Sequence, residues 1–214
     1  METHLSSMQI RTEASRKRVN YSALVRLGAK AEDRHFDPAS VGALEPFPLA
    51  VPEAYKQWLF QGPCFAGITS IEGISKDAIV GMLHTVAPGL CLPSIPAGSR
   101  WLIDPTVLDS ALQLAILWER HWYDMTPLPV QIGRLHIFKS LSLQPVRCVL
   151  KAVATDAGES LTTDMYFLDT ESRLLAVLEQ VEFACSKSLN RLCDPEAGQS
   201  HAVHDGEQLQ GVTQ

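Results

Sequence analysis

Asp109 and Gln113 stand four residues apart in a stretch that is otherwise almost wholly apolar, with Val107, Leu108, Ala111, Leu112 and Leu114 to Trp118 around them. Side chains at i and i+4 share one face of a helix, so the amide can hydrogen-bond the carboxyl. A carboxyl held among apolar groups has its charged form disfavoured, which raises its pKa and suits it to general acid chemistry near neutral pH. The positive end of a helix favours the carboxylate instead. On spacing alone, a solvent-facing Asp in an early helical turn is the better reading.

The element that must position this pair is a helix over 105–121. Asp104 is a suitable N-cap and Pro105 fits the first helical position. The helix is apolar nearly all round and must be buried on most sides. Alternating residues predict strands at 130–138, 146–154, 161–168 and 174–184, joined by turns at 156–158 and 169–172. A further strand fits 78–85, followed by a Pro/Gly/Ser-rich loop at 86–99. A short helix fits 52–60, ended by Gly62-Pro63. One buried helix followed by an antiparallel meander is an α+β layout, a sheet wrapped around the helix.

Upstream, residues 19–28 alternate, with Tyr21, Ala23, Val25 and Leu27 on one face. A strand this close to the start needs a partner to be stable. Residues 31–52 carry four prolines and little periodicity, the composition of a surface linker. The tail, 187–214, lacks apolar periodicity and is expected to be disordered. Its His201, His204, Asp205 and Glu207 are more simply read as chance neighbours than as metal ligands. The expected organisation is therefore strands within 8–30, a linker at 31–52, the main domain at 53–186 and a tail at 187–214.

Composition narrows the function. The 214 residues carry 18 Lys plus Arg against 24 Asp plus Glu, a net charge of -6. That balance argues against general affinity for nucleic acid or anionic membrane. The strongly apolar stretch 111–118 is far too short to span a bilayer, and the first twenty residues lack a secretory pattern. Five cysteines include no CxxC pair, so neither a disulfide framework nor a zinc site is expected; they read as thiols of a reducing cytoplasm. GxGxxG, P-loop, GxSxG and HExxH patterns are all missing, against nucleotide-binding, hydrolase and zinc-protease readings.

Three blocks carry more information together than singly: FQGPCFAGI at 60–68, DPTVLDSALQ at 104–113 and LPVQIGRL at 128–135. In this order and spacing the chain resembles the dehydratase domains of polyketide synthases over roughly residues 8–186. Those domains carry a YxGPxFxGL-like block, a PxxLDxxxQ/H helix and an LPxxxxxL strand. The resemblance implies a double hotdog fold, of which 53–186 would be the second half and 8–30 the closing strands of the first. It implies elimination of water from a 3-hydroxyacyl thioester borne on acyl carrier protein, giving a 2-enoyl thioester. Asp109 matches the aspartate that protonates the departing hydroxyl, and Gln113 its orienting partner. Gly62, Pro63, Phe65 and Pro129 match positions lining the acyl channel. No cofactor is implied beyond the phosphopantetheine that carries the substrate. The implied partners are acyl carrier protein and other megasynthase domains, with a homodimer or the rest of the first hotdog as further possibilities.

The departures are equally specific. The family's base lies in an HxxxGxxxxP block of the first hotdog, and no such block is present here. His84, Gly89 and Pro93 come near it, but the glycine is one place late. The resemblance thus implies a domain cut within its first half, with the histidine upstream, and a chain that self-associates when isolated. Phe60 replaces the tyrosine before the Gly-Pro pair, and Asp104 stands where a histidine often precedes the proline. A cyclisation domain of the product-template kind, or a non-catalytic remnant that binds carrier protein, are the alternatives.

Overall fold

The computed structural model describes residues 4–11, 19–28, 34–92, 94–96, 98–141, 144–155 and 157–193. They divide into two units, Met1–Glu32 and Asp33–Gln214. The first holds an antiparallel hairpin of β1 (His4–Arg11) and β2 (Val19–Leu27). The alternation in 19–28 thus marks a strand, and its partner is β1, which begins four residues before the 8–30 region expected to hold strands. The register places Met8 and Ile10 opposite Ala23 and Tyr21, so one face of the hairpin is largely apolar. Met8, Ile10, Tyr21 and Leu27 on that face are exposed.

The second unit contains α1 (Val51–Gln57), β3 (Ile68–Ile74), β4 (Ala78–Leu83), a single turn α2 (Pro88–Cys91), the long α3 (Pro105–Tyr123), and β5 (Thr126–Ile137), β6 (Val146–Ala154), β7 (Ser160–Leu168) and β8 (Leu174–Ser186). The six strands form one antiparallel sheet in the order β3-β4-β6-β7-β8-β5. The predicted meander holds for β6 to β8. The strand that follows the helix departs from it, passing over its sequence neighbour β6 to pair with β8 at the far edge.

Helix α3 lies on the concave face, where Val107, Ala111, Leu114 and Leu117 are fully buried against Ile79, Leu83, Leu150, Met165 and Phe167. Its start is capped as the sequence predicts, with Asp104 Oδ1 accepting from the Thr106 N–H at 2.8 Å. Its end is held by Asp124 in the left-handed conformation (φ 51°). The indoles of Trp118 and Trp122 both donate to the Ser75 carbonyl in the turn between β3 and β4.

Two regions differ from the sequence expectation. Residues 31–52 are not a surface linker where they are described. Phe36 is buried with Val80, Val149, Leu168, Leu174 and Val177 on the sheet face opposite α3. Glu45 exchanges two 2.8 Å backbone hydrogen bonds with Ile74. A sheet with apolar residues on both faces needs cover on both, and this proline-rich segment provides it. The start of the tail is also ordered. Lys187–Cys193 forms a 3-10 helix, with Asn190 bonded to Thr126 and Asp124 and the Cys193 thiol donating to the Trp58 carbonyl. The histidines and acids at 201–207 lie outside the described residues.

Candidate active site

Asp109 lies in the second turn of α3, half-buried, and Gln113 follows one turn later, fully buried. A buried amide needs partners for two N–H donors and a carbonyl. Gln113 finds all three. Its Nε2 donates to Asp109 Oδ2 at 2.7 Å and to the Phe65 carbonyl at 2.7 Å. Its Oε1 accepts from the Tyr55 hydroxyl at 2.6 Å, and that hydroxyl accepts from the Ile68 N–H at 3.0 Å. The expected Asp109–Gln113 hydrogen bond is therefore present. It belongs to a chain that also ties α1, the Gly-Pro turn and the start of β3 to one spot on α3.

The Gly-Pro turn reaches that spot for two reasons. Pro63 fixes the first position of a short 3-10 helix, Pro63–Phe65, closed by the Phe65 N–H donating to the Gly62 carbonyl at 2.9 Å. Gly67 then passes against α3 so closely that a Cβ there would overlap the Ser110 hydroxyl and stand 3.0 Å from Thr106 Cγ2. Any side chain at 67 would push the turn away from the helix and carry the Phe65 carbonyl out of Gln113's reach. The final glycine of the FQGPCFAGI block thus has a direct packing reason.

Burial pushes the Asp109 carboxyl above the ordinary carboxylate range, and the hydrogen bond from Gln113 offsets part of that. The net shift is upward, so desolvation outweighs the hydrogen bond. Burial likewise raises the Tyr55 phenol, and the negative charge of Asp109 adds to it. Burial thus shifts both groups toward their protonated forms, and for Asp109 that is the direction a general acid requires.

The remaining candidates are placed less closely. Phe65 joins the cluster through its backbone, while its ring is exposed, as are Gly62, Pro63 and Phe60. Pro129 lies on β5 opposite Phe183, and none of the hydrogen bonds among the described residues links it to Asp109. His84 follows β4, exposed, its N–H bonded to the Gly67 carbonyl at 2.9 Å. Tyr55 is the participant that sequence reasoning missed. It sits on a short helix 58 positions before its partner Gln113, and no local spacing signals that contact.

Among the described residues no group of three or more His, Cys, Asp or Glu is placed to hold a metal ion. No helix among them is long and apolar enough to cross a membrane.

Solved structures with this fold include the dehydratase domain of RzxB from Pseudomonas fluorescens (TM-score 0.62, 16% identity, 85% of this chain and 63% of that one). A trans-AT PKS dehydratase domain from Brevibacillus brevis is similar (TM-score 0.62, 15% identity, 86% and 65%). So is a trans-acyltransferase polyketide synthase enoyl-isomerase (TM-score 0.56, 15% identity, 83% and 67%). The chain spans under two thirds of the length of both dehydratase domains. No curated protein matches it. The family model for the polyketide synthase dehydratase N-terminal domain matches residues 34–191, from the segment that covers the sheet to the 3-10 helix after β8. With that match over most of its length and a six-stranded hotdog sheet wrapped around α3, the chain belongs to the polyketide synthase dehydratase family.

Proposed function

We propose that this chain carries the acid half of a 3-hydroxyacyl-thioester dehydratase, acting on substrates borne by acyl carrier protein. In the proposed reaction a histidine base removes the α-proton, and the electron pair forms the Cα–Cβ double bond. The β-hydroxyl departs with the proton of Asp109 as water. Asp109 is left as a carboxylate and the base as an imidazolium; their proton balance is then restored. The thioester acidifies the α-carbon, so the proposal needs no cofactor beyond the phosphopantetheine arm of the carrier. The observation that carries this reading is Asp109 itself: half-buried, raised in pKa by desolvation and aimed by an amide that is fixed on every side.

The base belongs to a segment other than these residues, because no HxxxGxxxxP block occurs among them. The proposed assembly is the second half of a double hotdog, completed by a first half and set among other megasynthase domains in the cytoplasm. The same missing block favours one alternative, a non-catalytic remnant that binds acyl carrier protein.

The test is elimination of water from a 3-hydroxyacyl-pantetheine thioester, followed by mass spectrometry. The chain is assayed alone and with a histidine-bearing first half supplied. Turnover is expected only in the completed protein, and Asp109→Asn should reduce it by about 10²–10⁴-fold while leaving the fold intact. Full turnover by the Asn variant would defeat the assignment. Carrier-protein binding without turnover in the completed protein would favour the remnant.

A further inference from the structure

We propose that Tyr55 is a positioning residue that holds Gln113 in a single amide orientation, so that Asp109 Oδ2 is permanently engaged and Oδ1 is the oxygen that carries the acid's proton. The argument is one of donors and acceptors. The Tyr55 oxygen accepts from the Ile68 N–H at 3.0 Å, which directs its own hydrogen elsewhere, and the acceptor within reach is Gln113 Oε1 at 2.6 Å. Once Oε1 is claimed, the two N–H groups of the amide must point the other way. There they meet two oxygens, Phe65 O and Asp109 Oδ2, both at 2.7 Å. Flipping the amide would set Oε1 against those two oxygens and an N–H against a hydroxyl already receiving one. Tyr55 therefore supplies the asymmetry that fixes the amide.

The consequence falls on the carboxyl. Oδ2 accepts from Gln113, while Oδ1 accepts no hydrogen bond from the described residues. A proton on Oδ2 would compete with the amide hydrogen, so the protonated acid carries it on Oδ1. A chain that starts at a backbone N–H of β3 thus determines which oxygen of a helix side chain delivers the proton. This inference takes Asp109's role from the proposed function, but its geometry stands without it.

The test is a 13C titration of the Asp109 carboxyl in the full chain, assigned with Asp109→Asn. Tyr55→Phe removes one oxygen and frees the amide. The carboxylate then loses a fixed donor, and a flipped amide favours the protonated acid, so the Asp109 midpoint moves up. In a Gln113→Met background the same Tyr55→Phe change should produce no further shift. A midpoint unmoved by Tyr55→Phe overturns the proposal, as does a shift that persists without Gln113. The wild-type protein provides a second measurement. Its Gln113 side-chain amide should give two resolved N–H resonances, of which only one tracks the Asp109 titration. Averaged resonances, or two that move together, would overturn the proposal without any variant. Dehydration activity is scored separately, so a failed relay with intact turnover, or an intact relay without turnover, tells the two proposals apart.

Discussion

Helix α3 carries two acidic side chains on buried surface, Asp109 near its start and Glu119 near its end, and their surroundings differ. Asp109 is half-buried, takes a short hydrogen bond from Gln113, and sits beside a turn whose side chains face solvent. Glu119 is fully buried, and neither of its oxygens has a well-formed hydrogen-bond partner among the described residues. Burial pushes the Glu119 carboxyl up to about 7, with the neighbouring Cys185 thiol and Lys76 ammonium opposing part of the effect. Both groups are therefore acids of altered strength, yet only Asp109 has an open side and an oriented partner. A raised pKa thus marks desolvation; access and a fixed donor distinguish a reactive group from a merely buried one.

The largest test of that contrast is turnover. In the completed protein Asp109→Asn should reduce dehydration by about 10²–10⁴-fold, the range for loss of a general acid, whereas Glu119→Gln should change it by less than about threefold. Equal losses would mean that Glu119 reaches the reaction through the helix and would collapse the distinction.

Stability should show the next effect. Gly67→Ala forces a methyl group into the Ser110 hydroxyl, and overpacking of this kind costs about 1–3 kcal/mol. Thermal denaturation should register it as a drop of several degrees. Gly62→Ala, whose added Cβ meets nothing within 4 Å, is the control.

The third test depends on pH. A carboxyl that binds its proton more tightly in the folded protein than in the unfolded chain contributes most stability below the ordinary Glu pKa of about 4.3. That contribution erodes as pH rises toward about 7, where Glu119 must ionise without a good partner. Glu119→Gln removes the charge, so its melting temperature should match wild type near pH 5 and exceed it near pH 8. A constant difference across that range would show that Glu119 does not titrate in the folded state.

The smallest effect is expected at Lys76, whose ammonium lies 4.7 Å from the Trp122 ring centre and 4.2 Å from that of Tyr123. Lys76→Met removes a cation that favours ionised Glu119. The Glu119 carboxyl should then hold its proton slightly more tightly, so the melting temperature of Lys76→Met should fall further below wild type at pH 8 than at pH 5.

Much of this was legible in the sequence where one interaction period ran unbroken. Helix α3 could be read from Asp104 onward because its cap and apolar positions agree, and β6 emerged with its full extent, Val146–Ala154. The family likeness of its three blocks agrees with the match over residues 34–191. Strand β3 was not legible, and its register explains why. Shifts between Ile68 and Ser70 and between Ile71 and Gly73 interrupt the alternation on which strand reading depends. Phe36 and Tyr55 were hidden for another reason. Each acquires its role from a surface assembled far along the chain, the sheet's second face for one and Gln113 for the other.

Strand β5 has one further consequence. It forms an edge of the six-stranded sheet, and Pro127 and Pro129, two residues apart on the same side of its backbone, have no amide hydrogen to offer. Prolines are tolerated at a sheet edge when the missing donor faces away from the ladder. The strand's outer rim is thus deprived of donors at its beginning and regains them only beyond Val130. In hydrogen–deuterium exchange, the outward amides of the later half should label quickly while the alternate amides paired with β8 stay protected. The same asymmetry confines any added strand to the stretch after Pro129, so this edge offers a short template with a set starting point.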